Sequence, residues 1–174
     1  MSQLADNPFW DYSLVHYGRP EVARACLELQ EDVGANVNLV LFCCWLGSSG
    51  QVLTVQDLDE AEEVIRDWNE QVVEPLRGVR RFVRSEFAGF ADQEWPQEVK
   101  QLELRAERVV QNRLCNWWRT KCGSSTDTDR DDRRKLSGEE QLQNLNLYLS
   151  RTSDIAIHSG SPLAWPLASA KPKN

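Results

Sequence analysis

The side chains that could do chemistry fall into a few short stretches, and the densest is cationic. Arg77, Arg80, Arg81 and Arg84 stand at i, i+3, i+4 and i+7 in LRGVRRFVRSEF. That spacing sets all four along one side of a helix. Arginine presents a planar fork of donors that matches carboxylates and phosphates. The strip predicts a docking surface for an acidic protein partner, with an RNA backbone as an alternative. The plainer reading is that these arginines pair with the acidic stretch just before them or stay solvated. That stretch holds Asp57, Asp59, Glu60, Glu62, Glu63 and Asp67. Carboxylates gathered on a helix can hold a divalent metal, so an enzyme with a metal in a helical pocket is the rival reading. The DDxxD spacing of enzymes that hold magnesium on a diphosphate is absent, and no metal ligand is assigned.

Other candidates carry less. His16 sits beside Tyr17 and reads as a packed or surface residue rather than a catalyst. The five cysteines, Cys26, Cys43, Cys44, Cys115 and Cys122, include no CxxC, and with only His16 and His158 no zinc spacing arises. Reduced thiols used as small apolar side chains are the simplest account, and they imply a cytoplasmic protein. The opening MSQLADNPFW lacks the basic region and apolar core of a secretion signal. Gly47-Ser-Ser-Gly50 lacks the pattern of a phosphate-binding loop. Asp127, Asp129, Asp131 and Asp132 have the spacing of a calcium loop without its glycine and terminal glutamate. No catalytic residue and no cofactor is assigned.

The elements that must position these groups read as helices. NVNLVLFCCWLG, residues 36–47, is the most apolar stretch and holds no charge. It is far shorter than the roughly 20 apolar residues of a membrane span, so it predicts a buried central helix. Asn36 would cap its start and Gly47 would close it in a left-handed conformation. Before it, Asn7-Pro8 is a cap followed by proline at the first helical position. A short helix should follow, with Phe9, Trp10, Leu14 and Tyr17 as its apolar surface. Pro20 opens the next helix, with Val22, Ala23, Cys26, Leu27, Leu29 and Gln30 on one face, and Gly34 permits the turn out of it. Gln30 and Asn38 lie beside the core as hydrogen-bonding groups or as a buried polar site.

After it, Thr54 and Asp57 form a capping box. Leu58, Ala61, Val64, Ile65, Trp68 and Val72 then make one stripe. Pro75 predicts a kink or a new helix, in which Leu76, Val79, Val83 and Phe87 can face the core. Trp95-Pro96 begins a long helix to about Thr120. Its apolar side is read as Val99, Leu102, Leu104, Ala106, Val109, Val110, Leu114, Trp117 and Trp118. Of the adjacent Trp117 and Trp118, one should enter the core and the other cap it or mark a contact surface. GSSTDTDRDDRRK has no hydrophobe and reads as a solvated linker. Ser137 to Glu140 is a capping box for a short amphipathic helix with Leu142, Leu145 and Leu149 on one stripe. The remaining tail is expected to be disordered, with Trp165 as an anchor for another protein's groove.

Length and charge fit this picture. A chain of 174 residues accommodates one domain with a tail. The formal net charge of −7 disfavours general attraction to nucleic acid or anionic lipid.

The strings Phe9-Trp10, Leu29-Gln30, Gly34-Ala-Asn-Val-Asn38, Trp45-Leu46 and VEPLRGVRR at 73–81 together are characteristic. In them the chain resembles a family of small helical proteobacterial proteins classed only as a domain of unknown function. The resemblance covers roughly residues 8–118. It implies a bacterial, cytosolic, helical protein and brings no activity with it.

The expectation is therefore an all-α fold, a five- to six-helix orthogonal bundle around the helix at 36–47. Residues 1–122 form the helical domain, 123–137 a charged linker, 138–151 a short amphipathic helix and 152–174 the tail, a flexible C-terminal appendage. Function is expected to be noncatalytic interaction or regulation, through Arg77, Arg80, Arg81 and Arg84 with Trp165 as a second contact, and no membrane is involved.

Overall fold

A computed structural model describes residues 7–86, 94–123, 138–152 and 167. The helices run in the order α1 (Pro8–Tyr17), α2 (Pro20–Val33), α3 (Val37–Ser48), α4 (Val55–Trp68), a π-helical turn (Asn69–Val73), α5 (Glu74–Glu86), α6 (Glu94–Cys122) and α7 (Glu139–Thr152). The fold is all-α, with no strand among the described residues. No helix among them is long and apolar enough to cross a membrane. The EF-like aspartates, Ser137 and most of the linker, Phe87 and Trp165 lie outside the described residues.

Local signals explain most boundaries. The Asn7 side chain accepts from the backbone N–H groups of Phe9 and Trp10, and Pro8 takes the first helical position. Thr54 and Asp57 close a reciprocal capping box at 3.2 and 2.7 Å. Gly34 ends α2 at φ 68°, which only glycine adopts without strain. Asn36 caps α3 through Asn38 N–H.

The core sits on α3, which packs against α1, α2, α6 and α7. Nine of its residues are buried, as a helix apolar on every side requires. Its most extensive neighbour is α7. Leu145 and Leu149 are fully buried there, and the polar side chains of α7 tie down nearby backbone. Asn144 donates to Cys43 and Gln51 carbonyls and accepts from Leu53 N–H, while Tyr148 accepts from Asn36 N–H. The helix that sequence places after a linker thus closes one side of the core.

Gly47 does a different job from the one its sequence position suggests. It lies inside α3, and the positive φ of that turn belongs to Gly50. A Cβ on Gly47 would stand 2.5 Å from the Gln141 backbone. It is glycine because α7 crosses α3 in contact.

Trp117 and Trp118 also differ from expectation. Both are partly buried, and both rings reach Phe42, at 6.1 and 6.2 Å between centroids. Phe42 of α3 meets the Trp117 ring at a tilt of 47° and the Trp118 ring edge-on at 84°. Phe9 completes the cluster against Phe42 at 5.4 Å.

Candidate functional site

The four arginines divide between two sides of α5. The π-helical turn ahead of Pro75 carries an i→i+5 bond from Glu74 N–H to the Asn69 carbonyl. Pro75 has no N–H to give and is accommodated beside this wide turn. Below it, Arg77 points inward and is 7% exposed. It donates to Glu74 at 2.9 Å, Glu103 at 3.3 Å and Glu107 at 3.0 Å. Arg80 is half-buried and makes a two-pronged contact with Glu103, its Nη2 at 3.2 Å. The partners come from Glu74 and from α6, not from the acidic helix α4. Burial pushes the Glu107 carboxyl above its ordinary range, against the pull of Arg77. The inward pair therefore sits in a self-neutralising cluster.

Arg81 and Arg84 remain exposed and form no ion pair among the described residues. One turn of the same helix also exposes Phe82 and Val79, 57% and 43% accessible. Val79 was expected to face the core, where Val83 is buried as anticipated. Turning Arg77 toward the α6 carboxylates turns Val79 away from it. Trp165, the remaining expected contact, lies outside the described residues.

The inward arginines form one wall of a cavity of about 530 Å³ between α1, α2, α3, α5 and α6. Gln30 and Asn38, the polar pair at the Gly34 junction, both line it, with Gln111 opposite. Gln111 Nε2 donates to Asn38 Oδ1 at 2.9 Å. Gln111 Oε1 and Ser13 Oγ have no partner among the described residues. Both residues are buried, and a buried polar atom left unpaired costs about 1–3 kcal/mol. Leu14, Leu27 and Leu104 are exposed and line the same space. These leucines were expected on core faces. In α1 Phe9 is buried as expected, but its other buried positions are Ser13 and His16, and in α6 Glu103 and Gln111 take places on the buried side.

Taken singly, Ser13, Glu103, Glu107 and Gln111 are not legible in the sequence, because a polar residue on a charged amphipathic helix reads as outward-facing. One signal was present. Val99, Glu103, Ala106, Val110 and Leu114 follow one another at helical spacing, so Glu103 occupies a core position, and the arginines of the preceding helix could meet it.

The acidic side of α4 is tied to α6 and α7 and, at Glu63, to its own next turn. Asp57 and Glu60 meet Lys121 at 2.6 and 2.8 Å, Asp59 and Glu62 meet Arg151 at 2.5 and 3.2 Å, and Glu63 meets Arg66 at 2.5 Å. No group of three or more His, Cys, Asp or Glu arranged to hold a metal occurs among the described residues. Burial pushes the Cys26 thiol up to about 12 and the Cys43 thiol higher, the opposite of what a nucleophile needs. His16 is buried and lowered to about 4 by burial and by Arg19. Arg19 Nη2 donates to its Nδ1 at 2.6 Å, so Nε2–H donates to the Leu167 carbonyl at 3.1 Å. It is a packed histidine.

A family model described as a protein of unknown function, DUF2390, matches residues 8–114. The chain belongs to this family. The match spans α1 to most of α6 and includes every residue that lines the cavity, whereas α7 lies beyond it. No curated protein and no solved structure matches the chain.

Proposed function

We propose that this DUF2390 protein is a noncatalytic cytosolic interaction protein of bacteria, which docks an acidic protein through the outer side of α5. The observation that carries the reading is the pairing of Arg81 and Arg84, exposed cations without an ion pair among the described residues, with exposed Phe82 and Val79. Arginine and aromatic side chains dominate binding energy at protein interfaces. The apolar pair supplies area, and the cations select a partner of opposite charge and speed encounter. Arg77 and Arg80 support the surface from behind through Glu103, so the docking strip narrows to its outward half. The noncatalytic part rests on how the titratable groups are used: Asp57, Asp59, Glu60, Glu62, Glu63 and His16 are held by structural partners, and the buried thiols are kept protonated. The cytosolic part rests on Cys26, Cys43 and Cys44, buried thiols outside any disulfide.

The test is a crosslinked pull-down with wild type and with an Arg81→Glu/Arg84→Glu variant of unchanged helical spectrum. The expected outcome is an acidic protein that binds wild type when purified, weakens with salt and fails to bind the variant. Equal recovery of the same proteins by both baits would sink the reading. Recovery of RNA with a steep salt dependence would replace it with the RNA alternative.

A further inference from the structure

The cavity behind α5 calls for an occupant of a particular chemistry. Its volume, about 530 Å³, lies within the range of small-molecule sites. Its buried charges are already matched: Arg77 and Arg80 are bonded to Glu74, Glu103 and Glu107, while Lys100, the other cation on the lining, is exposed at the surface. An anion at the buried arginines would have to displace a carboxylate and a cation there an arginine, and at exposed Lys100 water screens the charge. Its floor is unmatched. Ser13 and Gln111 are 4% and 3% exposed, and each presents a polar atom with no partner among the described residues. Turning the Gln111 and Asn38 amides over together keeps their mutual bond but leaves Gln111 Nε2 unpaired instead of Oε1. A head group that both donates and accepts can satisfy the floor in either arrangement, because the Ser13 hydroxyl takes whichever role is left. Leu14, Leu27 and Leu104 supply exposed apolar surface for the body of such a molecule.

We propose that this cavity binds a small uncharged amphiphile whose head, a carboxamide or an alcohol, bonds to Gln111 and Ser13 while its apolar part lies against Leu14, Leu27 and Leu104. A carboxamide fits both amide settings. Its N–H donates to Gln111 Oε1 while its carbonyl accepts from Ser13 O–H, or its carbonyl accepts from Gln111 Nε2 while its N–H donates to Ser13 Oγ. The site is separate from the docking side of α5 and stands or falls without it.

Hexanamide, hexanoate and hexylammonium are three probes of nearly equal shape that differ in head charge. Titrated into the full chain at neutral pH and followed by amide NMR shifts, hexanamide is expected to bind and to move resonances of Ser13 and Gln111. The charged analogues should bind at least about tenfold more weakly. Ser13→Ala, which deletes one atom, and Gln111→Leu should each weaken hexanamide about tenfold, the factor associated with one hydrogen bond. If Gln111→Leu does not fold, the Ser13→Ala titration decides alone. Hexanoate or hexylammonium binding as tightly as hexanamide would overturn the proposal. So would hexanamide affinity unchanged in Ser13→Ala, or no shift with any probe, which would leave the cavity to solvent.

Discussion

Two helix pairs of this protein bury polar residues in opposite ways. Where α3 meets α7 the helices touch backbone to side chain, and the buried Asn144 and Tyr148 bond to backbone groups. Where α5 meets α6 the contact is ionic, through Arg77, Arg80, Glu103 and Glu107, and the space beside it stays open. The first arrangement satisfies Asn144 and Tyr148 locally. The second holds its charges in balance yet leaves Ser13 and Gln111 atoms unpaired. Buried polar groups that are satisfied specify a fold, and those that are not point to a site.

The largest effect should come from breaking the ionic pair. Arg77→Ala leaves Glu103 and Glu107 facing each other with one cation fewer. The expected loss is about 3–5 kcal/mol, the cost of stranding one side of a buried ion pair. Urea denaturation measures it, and Arg77→Met combined with Glu103→Leu should recover part of the loss, because the remaining Arg80 and Glu107 lie close enough to attract each other. A loss below about 1 kcal/mol for Arg77→Ala would mean the cluster is solvated.

The tight pair fails differently. Gly47→Ala puts a methyl group 2.5 Å from Gln141 backbone, and α7 must shift as a body. The expected cost is about 3 kcal/mol, at the upper end for overpacking. Gly78→Ala is the control. A Cβ there meets nothing within 4 Å, and alanine favours a helix by about 1 kcal/mol over glycine. The two substitutions should have opposite signs.

A third difference lies in charge state. The α5–α6 pair buries ions, whereas His16 of α1, whose neighbour Tyr12 is bonded to α7, is buried neutral. His16 stacks on Tyr12 at 4.9 Å, and Tyr12 accepts from Gln141 of α7 at 3.4 Å. The His16 pKa is about 4 in the folded protein, against an ordinary 6.5. On acidification the unfolded chain takes up this proton first, so the contribution is intact above pH 6.5 and is lost as pH falls toward 4. The loss should reach up to about 3 kcal/mol at full effect. Melting temperatures of wild type and His16→Gln across that interval measure it. Parallel curves would show that His16 does not titrate in this way.

The smallest effect is expected on the outer side of α5. Arg81→Glu/Arg84→Glu should change stability by less than about 1 kcal/mol, because exposed charges contribute little. Circular dichroism melts test this. A larger loss would show that these arginines belong with the buried pair rather than with a docking surface.

Sequence alone determined the all-α class, the buried central helix, the caps at Asn7, Asn36 and Thr54 and the turn at Gly34. Each depends on residues within one or two turns, where side chains meet their own backbone. It also singled out the arginine helix and the polar pair Gln30 and Asn38. Only the tertiary structure decided which arginines turn inward, because that depends on Glu103 and Glu107 more than twenty residues away. It likewise decided that Gly47 is a crossing point and that α7 closes the core. A helix's own pattern says which faces can be buried. Which face is buried, and whether a polar group on it finds a partner, depends on the helix packed against it.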